Sequence, residues 1–111
     1  MTDVRIRDVE THIVSNPWKP WVFVELTTNT GERGLAEATS HGKPRTVVAA
    51  IEEMAEYFIG ESPYDTEDLW RRMYRDEWYS KNVINTTVIS AIDTAAWDIK
   101  GRIHGEPLYE L

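Results

Sequence analysis

The stretch SAIDTAAWDIKGR, from Ser90 to Arg102, has the apolar pattern of a buried helix. Apolar residues recur at helical spacing from position 84 to position 99, so the helix begins upstream of this stretch. Two carboxylates, Asp93 and Asp98, interrupt the pattern. They are either catalytic groups or parts of a scaffold.

Helical geometry favours the scaffold. Residues five positions apart on a helix of 3.6 residues per turn point in directions that differ by about 140°. Asp93 and Asp98 therefore cannot converge on one substrate bond or one metal ion. Asp98 stands four residues before Arg102, which is the spacing of an ion pair along a helix.

Two shorter helices are predicted before the long one. The first ends at Gly60, and its apolar stripe consists of Val47, Ile51, Met54 and Phe58. Asp65 or Thr66 can cap the second. Its apolar residues are Leu69, Trp70, Met73, Tyr74 and Trp78, which we expect in the core. The long helix is predicted to end near Gly101 or Gly105.

Upstream of residue 45 the period is that of strands. Residues 4–14 alternate between apolar and polar, with a shift of register near Asp8 that indicates a bulge. Residues 21–28 and 34–39 are rich in strand formers and are joined by a turn. The fold class is therefore α+β, a three-stranded antiparallel meander followed by a three-helix bundle, and one domain over residues 1–111 is expected.

Composition excludes several classes of function. There is no cysteine, which excludes disulfides, thiolate zinc sites and cysteine nucleophiles. The chain has 12 Lys and Arg against 19 Asp and Glu, a net charge of −7, so we expect no nucleic-acid partner. No run of residues has the length and apolarity of a membrane span, so we expect no membrane and a cytoplasmic location.

Motifs for catalysis are missing from the sequence. The three histidines, His12, His41 and His104, do not form HExxH or a similar metal-binding spacing. There is also no GxGxxG, no GxxxxGK[ST] and no GxSxG. We therefore expect no catalytic residues and no metal ligands in this chain.

Two segments outside the helices and strands are candidates for binding. Residues 15–21 carry Trp18 and Lys19 between two prolines and are bounded by Trp21, and residues 39–45 form a polar, cationic tip that suits a carboxylate ligand. The alternative is an ordinary solvated loop and the lead-in to a helix.

Three segments of the sequence resemble a known family: GLAEAT at 34–39, VVAAIEEMAEYFIGESPYDTEDLWRRMY at 47–74, and SAIDTAAWDIKGRIHGEPLYEL at 90–111. They are similar to the N-terminal capping domain of the enolase superfamily, in the mandelate racemase and muconate lactonizing enzyme subgroup. The resemblance covers nearly the whole chain. It is nearest to sugar-acid dehydratases of the gluconate and galactonate types, although racemases, epimerases and cycloisomerases share this cap.

The resemblance implies a parent enzyme with a (β/α)7β barrel after the cap. That barrel would hold Mg²⁺ and the acid-base residues for removing a proton next to a carboxylate, so this chain alone is expected to be inactive. The implied partners are the barrel of the same polypeptide, a small sugar-acid substrate and further copies in a homo-oligomer. Because the chain ends within EPLYEL, in the middle of the family's junction, we expect a piece of a longer protein.

The resemblance also implies that the two segments form a lid over the barrel. In residues 15–21, Trp18, Lys19 and Trp21 would exclude water. In residues 39–45 the candidate hydrogen-bond donors to a hydroxyl chain or its acid are His41, Lys43 and Arg45. The competing hypothesis is a stand-alone binding or dimerisation module that has the cap fold and no barrel.

Overall fold

The computed structural model describes residues 3–15, 20–40, 42–76 and 82–107. Three strands are followed by three helices, as the sequence predicts. In chain order they are β1 (Ile6–Val14), β2 (Trp21–Thr28), β3 (Arg33–Glu37), α1 (Pro44–Phe58), α2 (Thr66–Asp76) and α3 (Val83–His104).

The strands form an antiparallel sheet in the order β1-β2-β3. The pairing of β1 with β2 shifts register between Ile6 and Asp8, which confirms the predicted bulge. Along β2 the side chains alternate strictly between the two faces. Val22, Val24 and Leu26 are buried on the face that meets the helices, and the residues between them are half-buried on the opposite, outer face.

The three helices close the core over the inner face of the sheet. The predicted stripe of α1 is buried in full: Val47, Ile51, Met54 and Phe58. Asn82 caps α3, since its side-chain oxygen accepts a hydrogen bond from the Asn85 amide at 2.9 Å. The helix ends at Gly105, whose φ of 70° is typical of a left-handed cap.

The closest approach between sheet and helix lies where β3 crosses α3. A Cβ atom placed on Gly34 would lie 2.1 Å from the Ala95 carbonyl oxygen and 2.7 Å from Ile99. Only a glycine therefore allows β3 to reach the helix backbone. Small residues on α3, Ala91 and Ala95, are buried along the same helix.

Helix α2 corrects one sequence prediction. Leu69 and Met73 are buried as expected, but Trp70 is 43% exposed and its ring stacks on Tyr74 at a centroid distance of 5.0 Å. The buried stripe of α2 is narrower than its apolar pattern suggests. Trp78 lies outside the described residues.

None of the helices described is long and apolar enough to cross a membrane.

Candidate functional site

The two predicted lid segments adjoin the same end of the sheet. Because β2 and β3 run antiparallel, the start of β2 lies beside the end of β3. The Val22 amide donates a hydrogen bond to the Thr39 hydroxyl at 3.1 Å, and the Ala38 amide donates to the Val22 carbonyl at 2.8 Å. The strand pairing therefore ties the start of residues 39–45 to the end of residues 15–21.

The second segment leads directly into α1. The Lys43 amide donates to the Ser40 carbonyl at 3.1 Å, and Pro44 opens the helix. Among the described residues, no side chain caps this helix, and no acidic residue stands in its first turn. The free N–H groups of a helix start carry partial positive charge. Lys43 and Arg45, both exposed, add two full charges at the same place.

An anion is favoured at this end of α1 for that reason. A cation in the first turn of a helix is opposed by the helix dipole, whereas a carboxylate is stabilised there. In the described residues, no acidic side chain forms a salt bridge with Lys43 or Arg45. Lys43 and Arg45 therefore leave positive charge available at the start of α1.

The other predicted lid residues are placed as follows. Trp21 opens β2 on the outer face of the sheet and is half-buried. Trp18, Lys19 and His41 lie outside the described residues. Of the six candidates, the structure thus describes Trp21, Lys43 and Arg45, and all three lie on the segments that meet at this end of the sheet.

A groove next to Thr39 was not predicted from the sequence. It has a volume of about 770 Å³, and its helical side is lined by the cap and first turns of α3: Asn82, Val83, Thr86, Thr87 and Ser90. Glu37 and Tyr74 complete the lining that lies outside α3. The signal in the sequence was the group of hydroxyl residues at the start of an otherwise apolar helix.

Asp98 has a structural role. Its Oδ2 atom accepts a hydrogen bond from the Leu35 amide of β3 at 2.9 Å and pairs with the Arg102 guanidinium at 3.2 Å. The predicted i, i+4 ion pair is confirmed. The bond to Leu35 was not predicted, and it satisfies an amide on the edge strand of the sheet.

Asp93 points into a different environment. It lines a groove of about 460 Å³ between α2 and α3 together with Thr66, Trp70 and Trp97. Burial raises the pKa of the Asp93 carboxyl, and the Lys100 ammonium opposes that rise. Asp93 and Asp98 therefore do not share a site, as their helical spacing predicted.

Lys100 is a nearly buried ammonium group, only 7% exposed. Its Nζ lies 3.3 Å from the centre of the Trp97 ring and donates a long hydrogen bond of 3.4 Å to the Thr66 hydroxyl. Burial lowers the pKa of Lys100, and the nearby Asp93 charge partly offsets this. These contacts hold α2 against α3.

One cluster of side chains in the described residues has the donors for a metal ion. Glu10, His12 and Glu25 lie on the outer face of the sheet, with one ligand atom of each within 4.8 Å of the others. It lies away from α1 and the lid cations, on strands β1 and β2.

Comparison with known proteins gives consistent results. The family model described as mandelate racemase / muconate lactonizing enzyme, N-terminal domain, matches residues 1–111. The D-galactonate dehydratase of Ralstonia nicotianae is 42% identical over 91 residues, which are 82% of this chain and 24% of that enzyme. The D-galactonate dehydratase of Variovorax paradoxus is 43% identical over the same shares. The chain spans about a quarter of the length of these curated relatives.

A solved structure has the same architecture. An enolase from Pantoea ananatis with bound D-gluconate and Mg superimposes with a TM-score of 0.90 and 32% sequence identity, over 97% of this chain and 26% of that chain. Three antiparallel strands followed by three helices are thus shared with a solved relative that binds a sugar acid.

Proposed function

Since the chain belongs to the mandelate racemase / muconate lactonizing enzyme N-terminal domain family, we propose that it is the specificity lid of a sugar-acid dehydratase. The reaction would remove the proton next to the substrate carboxylate and then eliminate water. The observation that carries this proposal is the uncapped start of α1, with Lys43 and Arg45, at the end of the sheet where the two lid segments adjoin. A cytoplasmic location remains a prediction.

The names of the relatives support a sugar acid as the substrate. The curated relatives are D-galactonate dehydratases, and the solved relative contains D-gluconate. D-Galactonate and D-gluconate are both chains of hydroxyl-bearing carbons that end in a carboxylate. Exposed cations at a helix start suit the carboxylate, and the hydroxyl-lined groove beside Thr39 suits polyol groups.

In this proposal the lid orients the substrate and excludes water. Lys43 and Arg45 would each donate a hydrogen bond to an anionic or hydroxyl group of the bound acid. Trp18, Lys19 and Trp21 of residues 15–21 would cover the bound substrate from the other side. Closure of such a lid keeps bulk water away from the reacting carbons.

The candidate metal-ligand cluster in the described residues does not suit magnesium. In the solved relative from Pantoea ananatis, Mg is bound together with D-gluconate. Mg²⁺ prefers octahedral oxygen ligands, whereas the ligand cluster in the described residues includes the imidazole of His12. The ion that stabilises the charge on the deprotonated substrate would therefore be held by a barrel in the same polypeptide.

The test is an assay of the complete gene product. With Mg²⁺ and a panel of aldonic acids that includes D-gluconate and D-galactonate, we expect release of a 2-keto-3-deoxy acid from at least one of them. The isolated 111-residue chain is the control and should show no turnover. Intact mass spectrometry of the natural protein should give roughly three and a half times the mass of this chain, as the relatives' lengths imply.

Two outcomes would contradict the proposal. Exchange of the α-proton with solvent deuterium, without elimination of water, would make the chain the cap of a racemase or epimerase. A natural product of only 111 residues would leave a binding module. The exposed apolar side chains Trp70, Leu35 and Val83 would then serve a protein partner or a second copy.

A further inference from the structure

The outer face of the sheet carries a cluster of possible metal ligands, Glu10, His12 and Glu25. Glu10 and His12 are two residues apart on β1, so their side chains leave the same face. Glu25 lies directly opposite Glu10 in the pairing of β1 with β2. The His12 Nε2 atom is 3.9 Å from a Glu25 carboxylate oxygen. The three donors thus belong to a rigid part of the fold, two adjacent hydrogen-bonded strands.

Two carboxylates of this cluster lie close together with no lysine or arginine partner in the described part of the chain. Two glutamates directly opposite each other on neighbouring strands repel, which costs stability unless a cation lies between them. Among the described residues, no lysine or arginine forms a salt bridge with either glutamate. The partner that remains in the described residues is His12, whose Nε2 atom lies 3.9 Å from Glu25. The register of the strands therefore places negative charge where a bound cation would remove the repulsion.

Apolar neighbours strengthen the attraction of this cluster for a cation. Leu35 of β3 pairs with Glu25 on its other side, and Phe23 pairs with His12. These apolar side chains flank the cluster and reduce the access of water to one side of it. The Glu25 side chain is only 23% exposed, whereas that of His12 is 48% exposed, so the cluster is open from the solvent side for an ion to enter.

Ligand chemistry selects the type of ion. An imidazole nitrogen with two carboxylates is a donor set for zinc and similar late first-row divalent ions, whereas Mg²⁺ and Ca²⁺ prefer oxygen ligands alone. Donor atoms around tetrahedral zinc lie about 3.3 Å apart, given bond lengths near 2.0 to 2.1 Å. The present separations, within 4.8 Å, require only rotation of two flexible glutamate side chains.

We propose that Glu10, His12 and Glu25 form a binding site for a zinc-class divalent cation on the outer face of the sheet. Three protein ligands leave at least one position of a tetrahedral ion for water. The ion would join β1 to β2 through side chains, beyond the hydrogen bonds of the strands, and would stabilise the sheet by binding the folded state.

The experiment is a zinc titration of the untagged 111-residue chain, followed by calorimetry and by competition with a chromophoric chelator. We expect one equivalent of Zn²⁺ per chain and no comparable binding of Mg²⁺. Mutation of a residue that only hydrogen-bonds to a metal ligand typically weakens metal binding by roughly 10–100-fold. Loss of a direct ligand should weaken Zn²⁺ binding by at least as much. His12→Gln and Glu25→Gln should therefore each show that loss. His104→Gln is the matched control, since that histidine is also exposed but lies on α3, and it should keep the affinity.

A second measurement uses the unsubstituted chain, so its result does not depend on whether a variant folds. In amide NMR spectra of the unsubstituted chain, Zn²⁺ should shift the signals of the β1 and β2 residues around Glu10, His12 and Glu25. Shifts confined to other elements would overturn the proposal, as would the absence of saturable binding. Equal binding by His12→Gln, or equal binding of Mg²⁺, would overturn it as well.

Discussion

The contact between β3 and α3 differs from the start of α1 in how closely it is packed. At the first, the strand backbone approaches the helix so closely that Gly34 has no room for a Cβ atom, and Asp98 bonds the edge of the strand. At the second, Lys43 and Arg45 are exposed, and no side chain in the described part of the chain caps α1. The fold depends on tight packing in one region, while the other leaves positive charge available for a ligand.

A glycine-to-alanine substitution in each region should give the largest difference in the free energy of unfolding. Gly34→Ala forces a methyl group against the Ala95 carbonyl, so we expect the free energy of unfolding to fall by about 3 kcal/mol. Gly42→Ala, beside Lys43, meets open space and is opposed only by its φ of 71°, at a cost of about 1 kcal/mol. Urea unfolding measures both values. Equal losses would mean that the approach of β3 to α3 is not tight.

Asp98 tests which of its two bonds holds the strand to the helix. Asp98→Ala removes both the Leu35 and the Arg102 interactions and should cost about 1 kcal/mol of unfolding free energy. Asp98→Asn keeps an acceptor for the Leu35 amide and loses the ion pair, which is worth about 0.3–0.5 kcal/mol. If the asparagine variant is as unstable as the alanine variant, the bond to β3 contributes nothing measurable.

The pH dependence of the free energy of unfolding tests the burial of Lys100. Because burial lowers its pKa in the folded state, the unfolded chain binds the proton more tightly than the folded chain does. The folded state therefore gains stability as pH rises from the lowered value to the ordinary one near 10.5. We expect the unfolding free energy of the wild type to rise over that range relative to Lys100→Met. A constant difference between the two proteins would contradict the assigned burial.

Most of the fold follows from the sequence because periodicity reports burial directly. The bulge near Asp8, the stripe of α1 and the end of α3 at Gly105 all have local causes, and each is confirmed. Trp70 was predicted in the core and is exposed, because an apolar pattern does not show how wide a face the neighbouring helices cover.

The candidate metal cluster and the side-chain bond between β3 and α3 were harder to predict, because each joins residues that are distant in sequence. Glu10, His12 and Glu25 come together only through the register of β1 on β2, which no motif search can see. The bond from Leu35 to Asp98 joins residues 63 positions apart. The family match over residues 1–111 confirms the resemblance on which the lid hypothesis rests, while the roles of Lys43 and Arg45 remain predictions.

The most direct test of the proposed lid is to measure the kinetics of the complete gene product carrying Lys43→Met and Arg45→Met together. Loss of two charge-assisted hydrogen bonds to the substrate should raise KM for an aldonic acid by about a hundredfold or more, because each such bond is worth about 1.5–3 kcal/mol. Arg33→Met, an exposed cation on β3, is the control and should leave KM unchanged. An unchanged KM in the double variant, or an equal rise in Arg33→Met, would contradict a lid that binds the acid through α1.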